Sequence, residues 1–172
     1  SSKGFRKIHL ELASLGKGLQ IIHCVFFPDP CYDLPIFGVD IVAGLNGISA
    51  AIVDLSPVTG NLPRSILISL ENFSFPKFAQ RRELPVWGSI FSPYVSFVRP
   101  TCEEEEIFFS ELVDHYLNIL LSELKNVVPD GPSSSLTSKR KEGQILYCIQ
   151  QKLNDKTRNV LAKAFNPKWA DR

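Results

Sequence analysis

From Phe5 to Pro57 the chain sets apolar and polar residues in short alternating runs, broken by turn formers, and that period predicts β-strands. Successive strand side chains point to opposite faces. In the run FRKIHLEL, therefore, Ile8, Leu10 and Leu12 share one face while His9 and Glu11 share the other. The same pattern predicts strands over Leu19–Phe27, Ile36–Ala43 and Ile48–Leu55, with Asn46-Gly47 as the hairpin signal between the last two. The stretch Gly60–Glu83 is punctuated by prolines and predicts a short helix over Arg64–Glu71 followed by a loop. A strand over Tyr94–Arg99 ends at Pro100.

The period then changes. Ile107, Phe108, Leu112, Tyr116, Ile119, Leu120 and Leu124 recur at helical spacing and predict an amphipathic helix over Glu103–Val127. Thr101 is the expected cap, and the carboxylates of Glu103–Glu106 suit the positive end of the helix dipole. Pro129–Lys141 (PDGPSSSLTSKRK) reads as a polar, mobile loop, and a second long helix is expected from about Glu142 to Phe165, with an interruption near Asn154-Asp155. Strands first and helices later, without βαβ alternation, predict an α+β fold on an antiparallel sheet.

Composition narrows the function classes. A chain of 172 residues is one domain by length, and 44% hydrophobic content with a formal charge of +1 describes a globular protein. That charge gives no reason to expect a nucleic acid or a membrane surface as partner, and no apolar run approaches the ~20 residues of a bilayer span. No targeting peptide is visible in Ser1–Phe5. Cys24, Cys31, Cys102 and Cys148 lack disulfide-framework spacing, which points to free thiols in a reducing compartment.

Three proton-carrying side chains stand out in the strand-rich half: Glu11, His23 and Asp40, with His9 beside Glu11. Each has a plain reading. A Glu in an alternating strand is commonly a solvent-face residue, and a His between Ile22 and Cys24 is commonly a satisfied core residue. Asp40 in FGVDIV is harder to dismiss, because Asp is disfavoured in strands and its flanks are apolar; burial there would raise its pKa and let it hold a proton. Other motifs fail. His9-x-Glu11 with Pro30-Cys31 lacks the second Cys of a zinc deaminase, and Gly16 and Gly18 lack the ending of a P-loop. No flavin or dinucleotide fingerprint is present, and no metal is implied.

HLEL at 9–12, IHCV at 22–25, DLPIFGVDIVAG at 33–44 and ISAAIVDLSP at 48–57 resemble the ferredoxin-dependent bilin reductases. The likeness continues in RRELPVWGSIFSPYVSFVRP at 81–100 and YCIQQKLNDKTRNVLAKAF at 147–165. It implies a three-layer α/β/α sandwich with a central antiparallel sheet. It also implies one bilin reductase domain over 1–172, short of the several tens of residues that family members carry before the equivalent of Phe5, and of a brief tail. By resemblance the substrate is biliverdin IXα, electrons come singly from reduced ferredoxin, no cofactor is bound, and the bilin itself carries the radical. His23 and Asp40 would donate protons around the lactam oxygens and the bilin core, and Glu11 near the D-ring vinyl group, so that phycocyanobilin results. Arg82, Gln151, Asn154 and Lys156 are similar to substrate-lining positions, with Ser49 on the sheet, His9 near the acids, and Asp155 a further candidate donor.

The resemblance also implies a monomer, in the cytoplasm of a cyanobacterium-like cell or a plastid stroma. Lys139, Arg140, Lys141, Lys152, Lys156, Arg158, Lys163, Lys168 and Arg172 concentrate positive charge beyond Ser138, which suits an acidic ferredoxin or is simply an exposed basic helix. Two rival functions stand beside this one: a related reductase making another phytobilin such as phycoerythrobilin, and a non-catalytic bilin carrier. A carrier would keep the anchors and lose the acids.

Overall fold

In a computed structural model of the chain, residues 3–154 are described. Four long strands, β1 (Phe5–Leu15), β2 (Leu19–Pro28), β3 (Ile36–Gly44) and β4 (Gly47–Ser56), and a short β5 (Ser96–Val98) form one sheet in the order β1-β2-β3-β4-β5. All neighbours are antiparallel. The hairpin between β3 and β4 pairs Gly44 with Gly47, so its two loop residues are Leu45 and Asn46. Gly47, at φ +89, takes the left-handed conformation that a side chain would resist.

Helix α1 (Arg64–Glu71) covers its expected residues, and α2 (Glu103–Asn126) nearly so. Both lie on one face of the sheet. There Phe37, Val39, Ala51, Val53, Leu55 and Val98 pack with Ile66, Leu70, Phe109, Leu112, Tyr116 and Leu120 in the main core. The cap of α2 differs from expectation. Cys102 holds the N-cap position without a side-chain bond, and it is Glu105 that turns back to accept from Thr101 N and Oγ1 and from Ala79 N. A carboxylate satisfies three donors where the Thr hydroxyl would satisfy one, and these bonds hold the Glu105 pKa below its ordinary value.

The other face carries α3 (Ser135–Gln151), which gives the sandwich its third layer. Helix α3 begins well inside the segment expected to be a loop. Ser134 caps it by accepting from Leu136 N, and Thr137 Oγ1 donates to Gly131 O. Arg140 then clamps it down, 4% exposed, donating to Asp33 and Asp130 and to the carbonyls of Pro30 and Cys31. Gln144 fixes the next turn: its amide donates to Pro28 O while its oxygen accepts from Arg6 Nε. Arg140 is therefore a structural anchor and no part of an exposed basic patch. Lys156, Arg158, Lys163, Lys168 and Arg172 lie outside the described residues, as does the expected helix beyond 154. The four cysteines are free, and no described helix is long and apolar enough to cross a membrane.

Candidate active site

Strand register settles which proton carriers meet. Glu11 on β1 pairs with His23 on β2, and His23 pairs with Asp40 on β3. Residues directly opposite in a ladder share a face, so the three form one transverse row, on the face that carries α3. The row continues through Ile52 on β4 to Phe97 on β5. Beyond it the chain at 80–82 runs along β5, with Arg82 N donating to Phe97 O at 2.8 Å.

Within the row the strongest contact is between His23 and Asp40: Nδ1 donates to Oδ1 at 2.5 Å. This hydrogen bond raises the His23 pKa above its ordinary value against the opposing effect of burial, with the charges of Asp40 and Glu11 adding to it. His9 sits beside the pair, its ring centroid 5.7 Å from that of His23 and its Nε2 3.5 Å from Glu11 Oε2.

Exposure bears on both acids. The apolar flanks of Asp40 do not bury it: its side chain is 43% exposed and faces the imidazole rather than an apolar pocket. Glu11, a donor by resemblance, is half in water, its side chain 51% exposed, because β1 is the outer strand of the described sheet.

The remaining candidates divide. Arg82 lies at the far end of the row, with its guanidinium carbon 5.6 Å from the Phe97 ring centre. Three strand spacings, about 14 Å, separate it from Asp40, so a ligand touching both must be extended. Gln151 ends α3 and donates to the Tyr147 hydroxyl at 3.1 Å. Asn154 follows, its backbone N–H bonded to Gln151 O. Ser49 falls in the bulge of β4, with its hydroxyl donating to Val42 O and its side chain exposed. Lys156 and Asp155 lie outside the described residues. Among those residues, no three His, Cys, Asp or Glu side chains are grouped to hold a metal ion.

Sequence reasoning missed two groups on this face. Asp54 pairs with Gly38, one step along the sheet from the row, and is 1% exposed. It accepts from Ser56 Oγ, Ser92 N and Ser92 Oγ, and burial pushes its pKa up to about 6 in spite of those bonds. It carries the same signal as Asp40, an acid inside an apolar strand run. Gly38 is the second group. Glycine within a strand marks a close approach, and here Tyr147 of α3 sits over it.

The His23–Asp40 bond makes a titration prediction. His23 should titrate above the ordinary histidine value, and Asp40→Asn should lower it, as read by imidazole NMR. Because the folded-state value is raised, the pair's contribution to stability is complete below the ordinary value and is lost as pH rises through the raised one. A His23 value unchanged in Asp40→Asn would mean that the bond does not set it.

The model of the ferredoxin-dependent bilin reductase family matches residues 1–172. Among similar proteins is phycocyanobilin:ferredoxin oxidoreductase of Prochlorococcus marinus (strain MIT 9313), 59% identical over 170 residues, covering 99% of this chain and 64% of that protein. The enzyme of the same name from Synechococcus sp. (strain CC9902) is 58% identical, covering 99% of this chain and 69% of its own length. The chain thus spans about two thirds of these relatives. A crystal structure of phytochromobilin synthase from tomato, in complex with biliverdin, shares the fold at a TM-score of 0.72 and 19% identity, covering 98% of this chain and 63% of that one.

Proposed function

The chain belongs to the ferredoxin-dependent bilin reductase family, and on that premise we propose that it serves the reduction of biliverdin IXα to phycocyanobilin with electrons from ferredoxin. The observation that carries the reading is the transverse row Glu11–His23–Asp40, with His23 and Asp40 joined at 2.5 Å. Relatives at 58–59% identity bear the phycocyanobilin-forming name. The solved tomato relative was captured with biliverdin.

Each two-electron reduction of a bilin consumes two protons. Ferredoxin delivers the electrons; this chain's task is to hold the pigment and supply protons at chosen atoms. His23, its pKa raised by the hydrogen bond to Asp40, is suited to donate to a lactam oxygen or the bilin core, and Asp40 stands beside it as the second proposed donor. Glu11 occupies the β1 end of the row, where it would protonate near the D-ring vinyl group; its exposure lets it regain a proton from solvent. Arg82, at the opposite end, offers the planar fork that pairs with a propionate carboxylate. Gln151, Asn154, His9 and Ser49 complete the proposed substrate contacts, with Lys156 and Asp155 beyond the described residues. We take the working unit to be a monomer in a cyanobacterial cytoplasm or plastid stroma. The exposed Lys139, Lys141 and Lys152 of the α3 region remain available for an acidic ferredoxin.

The direct test is anaerobic turnover of biliverdin with reduced ferredoxin, followed by chromatography. Phycocyanobilin is the expected product; phycoerythrobilin would select the related-reductase reading, and binding without reduction the carrier. Glu11→Gln sharpens the assignment. Gln preserves size and can donate a hydrogen bond but cannot release a proton, so D-ring vinyl reduction should stop while A-ring reduction survives. Phycocyanobilin as the main product of that variant would remove Glu11 as the D-ring donor.

A further inference from the structure

Helix α3 reaches the acid row through one aromatic side chain. Tyr147 is 7% exposed, its ring set edge-on to Phe27 with centroids 6.0 Å apart. Its hydroxyl lies 3.4 Å from where a β-carbon on Gly38 would stand. Gly38 is two residues from Asp40 and shares its face, so the phenol rests on the sheet directly beside the His23–Asp40 pair. From there the hydroxyl accepts from Gln151 Nε2 at 3.1 Å, one helical turn further on.

A carboxamide has two ends with different chemistry. Committing the Gln151 nitrogen to Tyr147 fixes which end is left over. The Gln151 oxygen has no protein partner among the described residues, and it is the acceptor suited to an N–H group. A bilin presents N–H groups at its pyrrole and lactam rings.

Resting on the functional reading above, we propose that Tyr147 is a positioning residue. Its hydroxyl, seated on Gly38, holds the Gln151 amide so that the amide oxygen accepts from a ring N–H of the bound bilin. Tyr147 itself touches no reacting atom. Gly38 belongs to the same device, because a β-carbon there would just meet the hydroxyl, at 3.4 Å, and a branched side chain would push the phenol away and carry Gln151 with it.

Three variants of the whole chain test this: Tyr147→Phe, Gln151→Ala and the double substitution. Tyr147→Phe keeps the ring against Phe27 and removes only the acceptor. It should weaken biliverdin binding, followed by absorbance titration, by about three- to tenfold, the worth of one hydrogen bond. The loss should fall on KM, with kcat within about twofold. If Tyr147 acts through Gln151, the double variant should bind no worse than Gln151→Ala alone. Losses that multiply across the two sites would overturn the proposal, as would unweakened binding in Tyr147→Phe. Gly38→Val should weaken binding in the same direction, and a neutral effect there would count against the seat on Gly38. A readout without bilin separates this from failure of the functional reading. The Gln151 side-chain amide, resolved by NMR in the free protein, should shift towards free glutamine in Tyr147→Phe. An unchanged signal overturns the positioning role whatever the ligand, whereas failure of the unaltered chain to bind biliverdin overturns the functional reading alone.

Discussion

Asp40→Asn is expected to leave biliverdin bound and to lower its turnover by about 10²–10⁴-fold, the usual worth of a positioned general acid. The substitution is close to isosteric, and an Asn oxygen can still accept from His23 Nδ1, so shape and the 2.5 Å contact have a substitute. Charge and proton do not. Asn cannot share or release a proton, and loss of the carboxylate removes the largest influence raising the His23 pKa. One substitution therefore weakens both members of the donor pair. The check is single-turnover reduction under anaerobic conditions, alongside an absorbance titration of bound biliverdin. Turnover within about tenfold of the unaltered chain would exclude Asp40 as an essential donor.

Part of the row was legible from the sequence. Alternation puts His9 and Glu11 on one face of β1, but that His23 and Asp40 join them depends on which residues pair across the strands, and only the register supplies that. Exposure was not legible, because it depends on what covers a face. Helix α3 reaches β1 at Arg6, while Glu11, further along the strand, is left half in water. The start of α3 was hidden for a related reason. Its first turns are rich in Ser and Lys and look like a loop in isolation. What stabilises them is Arg140, whose partner Asp33 lies 107 residues away in the chain and therefore falls outside any local pattern. The same separation turned a residue read as surface charge into one of the most buried side chains of the helix.

Arg140 and Gln144 hold α3 by side chains, but Gly143 between them lets it come close enough to be held. A β-carbon built on Gly143 would stand 2.7 Å from the carbonyl carbon of Val58 and 3.2 Å from its Cα, and nearer still to its oxygen. Backbone atoms cannot rotate away as a side-chain tip can, so the helix itself must retreat. Two effects oppose each other in Gly143→Ala. Alanine favours the helical state by about 0.8–1.0 kcal/mol. Overpacking of this kind costs typically 1–3 kcal/mol, and more where backbone must move. The second effect should win, because retreat of α3 also strains the Arg140 and Gln144 bonds and lifts Tyr147 from Gly38. A net loss of about 2 kcal/mol corresponds to a Tm lower by about 4–8 °C for a chain of this size. Gly131→Ala, in the loop before α3, is the control, since a β-carbon there meets nothing within 4 Å. Thermal unfolding of the two variants decides the matter: if Gly143→Ala melts no earlier than Gly131→Ala, α3 does not depend on close contact with Val58. Biliverdin binding should weaken in Gly143→Ala as well, because Gln151 is carried on the same helix, two turns from the displaced glycine.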